Sequence, residues 1–121
     1  MPIAPLVLHP MNYNNKKFRP IESSANGETT EDTVFEYIQT GNVITCTYSG
    51  EHIVIGHLIG LVDANGNIDM RYHQVNTKGE LMTGVCSSKP EIREGGKIRL
   101  HEQWQWTSGD KSHGHSILEE F

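Results

Sequence analysis

Glu102 stands in the stretch Ile98-Arg-Leu-His-Glu-Gln-Trp-Gln-Trp106, where apolar and polar residues alternate. Strand periodicity places Ile98, Leu100, Glu102, Trp104 and Trp106 on one face, and Lys97, Arg99, His101, Gln103 and Gln105 on the other. A carboxylate on an apolar face is rarely left without a partner. Desolvation raises its pKa, which suits a general acid or base. Glu102 is therefore either held in a structural hydrogen-bond network or turned towards a ligand. Trp104 and Trp106 beside it either fill a core or, where a cavity exists, form its stacking walls.

Other polar residues fall on apolar faces. His57, Tyr72 and Gln74 share the inward pattern of their strands, and Tyr48 falls near a rim. His57 joins Glu102 as a candidate acid or base, and the other three would orient a ligand. Arg71 and His73, with Asp69 and His101, form a second candidate cluster if one turn carries a bulge; otherwise they lie on a solvated face. His113 and His115 would share a strand face, but spacing places no third ligand, so no metal is expected. Phosphate-loop, dinucleotide and nucleophile-elbow patterns are absent, so no cofactor and no covalent nucleophile are indicated.

The elements that must carry these residues are short strands. Turn signals recur at Asn26-Gly27, Thr40-Gly41, Ser49-Gly50, Asn65-Gly66, Lys78-Gly79, Gly95-Gly96 and Ser108-Gly109. The runs between them are rich in Val, Ile, Thr, Tyr and Trp with period-2 alternation. Strands are expected at about 17–23, 32–39, 42–49, 52–62, 67–76, 80–87, 97–106 and 114–120, with one helical turn within 88–92. Consecutive hairpins give an all-β, antiparallel up-and-down meander of about eight strands. Closure removes its open edges, so a barrel of the lipocalin or avidin type is preferred to a sandwich. Residues 1–15 are read as a flexible tail and 16–121 as one barrel domain.

Hairpin register sorts the side chains. With two-residue turns at Thr40-Gly41 and Ser49-Gly50, one face carries Phe35, Tyr37, Ile44, Cys46, Tyr48, Ile53 and Ile55, continuing through His57, Ile59 and Leu61. A type I′ turn at Asn65-Gly66 then sets Leu61 opposite Met70 and Ile59 opposite Tyr72. A three-residue turn with a bulge would instead bring Asp69, Arg71 and His73 inside, at the cost of burying a charge. Downstream, Tyr72 should face Gly84, Met70 should face Cys86 and Gln74 should face Met82.

Composition narrows the function. The chain has 121 residues, enough for one self-sufficient core. Its formal charge is −5 with no basic cluster, which argues against nucleic-acid and anionic-membrane partners. No apolar run approaches the ~18 residues of a membrane span, and the start lacks the basic region of a signal peptide. Cys46 and Cys86 lie in strands without ligand spacing, as free buried thiols in a reducing cytoplasm would.

The stretches Gly56-His-Leu-Ile-Gly-Leu-Val-Asp63, Gly66-Asn-Ile-Asp-Met-Arg-Tyr-His-Gln74 and Trp104-Gln-Trp-Thr-Ser-Gly-Asp110 resemble a family of small bacterial proteins often labelled N-acetylglutamate synthase. The resemblance runs from about Met11 onward and carries no catalytic residues across. The label implies acetyl transfer to glutamate. Acetyltransferases of the usual fold need a Gly-rich pyrophosphate-binding turn opening a helix, and the chain has neither. The barrel also resembles the calycins, at the level of fold alone.

The expected function is binding of a small, partly apolar molecule, with acid–base isomerisation, cyclisation or hydration as the chemistry if the protein is an enzyme. The alternative is a non-enzymatic, dimer-forming module using an outward patch of Val54, Leu58 and Val62. A ligand-binding barrel should hold a cavity of roughly 300 Å³ or more with Glu102 in its wall.

Overall fold

A computed structural model describes residues 11–121. The strands are β1 (Lys17–Ser23), β2 (Phe35–Glu36), β3 (Ile38–Thr40), β4 (Val43–Tyr48), β5 (Ile53–Val62), β6 (Ile68–Asn76), β7 (Leu81–Ile92), β8 (Ile98–Trp106) and β9 (His113–Glu120). All pairings are antiparallel, in the order β2-β1-β9-β8-β7-β6-β5-β4-β3. β2 and β3 are two halves of one extended segment, separated by Tyr37 alone. The first half pairs with β1 and the second with β4, so the sheet comes round on itself. Counted through Tyr37, this is the expected eight-stranded meander in a nearly closed barrel.

The expected inward face holds on most strands. Phe35, Tyr37, Ile44, Cys46 and Tyr48 are buried, as are Ile98, Leu100, Glu102, Trp104 and Trp106. β6 and β7 pair as expected, Tyr72 with Gly84, Met70 with Cys86 and Gln74 with Met82. β7 runs further than expected, through Pro90 to Ile92, in place of the helical turn at 88–92. Pro90 fits there because β6 stops pairing at Ser88, leaving one edge of β7 free where proline lacks its N–H.

β5 corrects the expected register. The two-residue turn at Ser49-Gly50 does not form. Instead Tyr48 pairs with Gly56, Cys46 with Leu58 and Ile44 with Gly60. Ile53 is buried, but β5 bulges between Ile53 and Ile55 against β6, and the extra residue reverses the alternation beyond it. Gly56, Leu58, Gly60 and Val62 therefore face inward, and Ile55, His57, Ile59 and Leu61 face outward. Leu58 and Val62 belong to the core, not to the outer patch expected of them.

The next turn shifts as well. Asp63 to Asn67 form a three-residue turn with a glycine bulge, not the type I′ pair. The Gly66 N–H donates to the Asp63 carbonyl, Asp63 and Asn67 pair, and Gly66 takes φ +82°. On the expected β5 this turn would bury Arg71 and His73. On the reversed β5 the two shifts cancel, and Ile68, Met70 and Gln74 are buried with Tyr72 packed against them.

Packing begins before residue 16. Tyr13 is fully buried, with ring centroids 6.2 Å from both Phe18 and Tyr37, and its hydroxyl donates to the Gly66 carbonyl. Residues 11–15 thus close the barrel end near the β5–β6 hairpin. Residues 1–10 of the expected tail lie outside the described residues. Among the described residues no helix is long and apolar enough to cross a membrane.

Candidate functional site

The inward faces of β4 to β9, with Phe35 of β2 and the adjoining Tyr37, converge on a cavity of about 60 Å³. Glycine shapes it. A Cβ on Gly56 would collide with the Tyr48 ring, and one on Gly84 would collide with the Tyr72 ring and hydroxyl. The missing side chains let both phenols lie flat across neighbouring strands. Tyr72 meets Trp106 edge-on at 5.7 Å between centroids, Trp106 meets Trp104 at 5.6 Å, and Phe35 tilts against Tyr48 at 4.7 Å. The wall is a nearly continuous aromatic belt.

Glu102 is set into this belt. β8 aims it inward because the alternation from Ile98 to Trp106 is unbroken. Burial dominates its chemistry and pushes its pKa up to about 7, against the smaller opposing effect of Ser88 and Cys86 beside it. Neither Ser88 Oγ nor Tyr37 Oη has a well-formed hydrogen bond, although both are fully buried. Ser88 lies against the Glu102 carboxyl, so the Tyr37 hydroxyl is the more isolated of the two; an orphaned buried hydroxyl costs about 1–3 kcal/mol. Trp104 Nε1 donates to Ser116 Oγ at 2.9 Å, which fixes the indole against β9.

The other barrel end is covered by the loop between β1 and β2. Gly27, Glu28 and Thr29 line the cavity there. Glu28 accepts from Gln74 Nε2 at 2.8 Å through one oxygen and from Asn76 Nδ2 at 2.7 Å through the other. The Gln74 amide oxygen in turn accepts from Tyr48 Oη at 2.7 Å. Trp106 Nε1 donates to the Asn26 carbonyl at 3.1 Å. Three side chains, Gln74, Asn76 and Trp106, thereby hold one polar loop in place, with Tyr48 bracing Gln74.

Six of the nine expected site residues come together: Glu102, Tyr48, Tyr72, Gln74, Trp104 and Trp106 all line the cavity. Three do not. His57 and His73 stack on the outer face with centroids 5.4 Å apart, because they pair directly across β5 and β6. Arg71 is exposed there and pairs with Asp69 at 2.6 Å. The expected second cluster is not assembled, since His101 pairs with Glu91 at 2.7 Å instead. Sequence reasoning passed over Glu28, Ser88 and Ser116. The two serines occupy inward strand positions and could have been found by parity. Nothing local to Glu28 points across 46 residues to Gln74.

The cavity is well short of the expected 300 Å³. At 60 Å³ it has room for about two waters. An apolar outer face also exists, but it is built from Ile59 and Leu61, each about half exposed (50% and 54%). Among the described residues no group of three or more His, Cys, Asp or Glu could hold a metal.

Compared with known proteins, residues 11–121 match the family model described as avidin-like protein. No curated protein and no solved structure matches the chain.

Proposed function

The chain belongs to the avidin-like protein family, and from that premise we propose that it is a small-molecule-binding barrel with its ligand between Glu102 and the Trp104–Trp106 wall. The observation that carries the proposal is the unfinished polar recess inside an aromatic belt. Glu102 lines the cavity as a raised-pKa carboxyl, and Tyr37, which also lines it, has a buried hydroxyl without a partner. A ligand with matching polar groups would complete both, while its apolar part stacks on the indoles. The small volume suits a compact ligand; anything larger requires the Glu28 loop to lift away.

The same carboxyl suits proton transfer near neutrality. Isomerisation, cyclisation or hydration of a bound molecule would use Glu102 as acid or base. Burial raises the pKa values of Tyr37, Tyr48 and Tyr72, so these phenols would stay neutral donors beside it. Two free, buried cysteines fit a cytoplasmic setting. Acetyl transfer to glutamate has no support in the cavity, which presents no pyrophosphate-binding turn; no turnover of acetyl-CoA with glutamate is expected.

Tryptophan fluorescence tests the binding proposal. Biotin, its uncharged amide and a panel of compact amides, alcohols and amines would be titrated into the protein and into Cys86→Leu, which fills the cavity beside Glu102. Saturable quenching in the parent that is absent in the filled variant is expected. Equal responses in both proteins would remove the cavity as the site.

A second reading is association between copies of this chain. It is favoured by Ile59 and Leu61, which project from the outer face of β5 beside Ile38 and Val43 on the neighbouring strands.

A further inference from the structure

We infer that the ligand of this cavity is a small organic cation, an ammonium or similar protonated amine, held between two carboxylates and an aromatic belt. The inference rests on the small-molecule reading above and specifies its chemistry. The charge inventory of the lining is one-sided. Glu102 lies on β8 within the wall and Glu28 lies over the mouth, while among the described residues no Lys, Arg or His lines the cavity. Among the described residues neither carboxylate forms an ion pair. Glu28 is bonded only by neutral amides and Glu102, once ionised, has no cationic partner, so the lining offers a cation negative charge in a partly buried space where Coulomb interactions are strengthened. An anion entering would meet like charge with no compensating donor cation.

The uncharged part of the wall favours the same ligand class. Phe35, Tyr37, Tyr48, Tyr72, Trp104 and Trp106 present π-faces and edges around the cavity. Ring faces attract cations, tryptophan most strongly, and the effect grows when the cation is desolvated. The third contribution is Tyr37, a lining residue whose buried hydroxyl has no partner. The hydroxyl can accept an N–H through its oxygen, as the carboxylate does, so one ammonium could satisfy both. The space of about 60 Å³ matches the ammonium head and first carbons of a primary amine, with the rest of a short chain running out under the Glu28 loop at the mouth.

Proton linkage gives the site a definite pH response. Glu102 is faced by Cys86 and Ser88 from β7, Ser116 from β9, Tyr37 between β2 and β3, Tyr48 from β4 and Tyr72 from β6. Burial raises the pKa of the thiol and of all three phenols, so none of them ionises near neutrality. Only the ionised Glu102 attracts a cation, so affinity should rise with pH and level off above its pKa of about 7.

Calorimetric titration of the full chain at pH 8 with n-butylamine, n-butanol and n-butyrate tests this. Butylamine should bind about tenfold or more tightly than butanol, and butyrate should give no saturable heat. Glu102→Gln should bring butylamine and butanol to within about twofold of each other, and Glu28→Gln, on a surface loop, should narrow the gap partially. In the parent, affinity for butylamine should fall between pH 8 and pH 6. If butanol binds as well as butylamine, or butyrate binds better, the cation inference is wrong and the cavity remains a neutral or anion site. If none of the three binds, and biotin and the wider panel also leave the indole fluorescence unchanged, the small-molecule reading falls with it.

Discussion

Glu102 concentrates the chemistry of the interior in one residue, and its cost can be measured. Its carboxyl has an ordinary pKa of 4.5 when exposed and about 7 when buried. The folded state therefore binds the proton more tightly, and stability falls as pH rises from 4.5 to 7, then stays level. The loss should be on the order of 3 kcal/mol. Glu102→Gln should flatten that dependence and be more stable than the parent at pH 8, measured by urea unfolding across pH 4 to 8. A parent protein with unchanged stability over that range would show that the carboxyl is not desolvated. This residue was legible in the sequence because the alternation around it is unbroken and its neighbours are Leu100 and Trp104. Tyr37 was legible as inward but not as unpartnered, since hydrogen-bond satisfaction depends on strands that are distant in sequence. His57 was misplaced because its own strand is apolar on both faces.

That ambiguity belongs to β5, the element where pattern reasoning fails. Its inner face holds Gly56 and Gly60, which carry no apolar signal, while its outer face carries Ile59 and Leu61. Counting apolar residues therefore selects the wrong side. The signal lies instead in the tyrosines that need glycine opposite them. Gly56→Ala should displace the Tyr48 ring and its bond to Gln74, lowering stability by about 1–3 kcal/mol in calorimetric melting. The loop between β1 and β2 is the second element with a testable role. Glu28→Ala removes the acceptor of Gln74 and Asn76, so amide exchange across 24–31 should accelerate several-fold while β6 and β8 stay protected. Unchanged exchange would mean that Glu28 does not hold the loop. The pairing of β6 with β7 was legible down to its register and β8 in its two faces, because clean alternation and a short turn leave one arrangement that buries the apolar set.

At the scale of the molecule, the sequence carried the eight-stranded meander and its closure more securely than any contact within it. Two register shifts, at Ile53–Ile55 and at Asp63–Asn67, cancel, and so Met70, Tyr72 and Gln74 face inward as expected although the strand before them was assigned the wrong face. The same reversal moved the exposed apolar face from Leu58 and Val62 to Ile59 and Leu61. If copies associate through that face, Ile59→Lys with Leu61→Lys should convert a dimer to a monomer in sedimentation velocity while leaving the melting temperature nearly unchanged. A parent chain that is monomeric at high micromolar concentration would contradict association. The two tryptophans report on the interior separately: one indole N–H is bonded to Ser116 in the wall, the other to Asn26 in the covering loop. Their two side-chain resonances in a proton–nitrogen NMR spectrum, followed during titration with compact ammonium and neutral ligands, are the most direct test. Saturable movement of both resonances, lost in Cys86→Leu, is the predicted result; two resonances that no ligand moves would contradict a binding cavity.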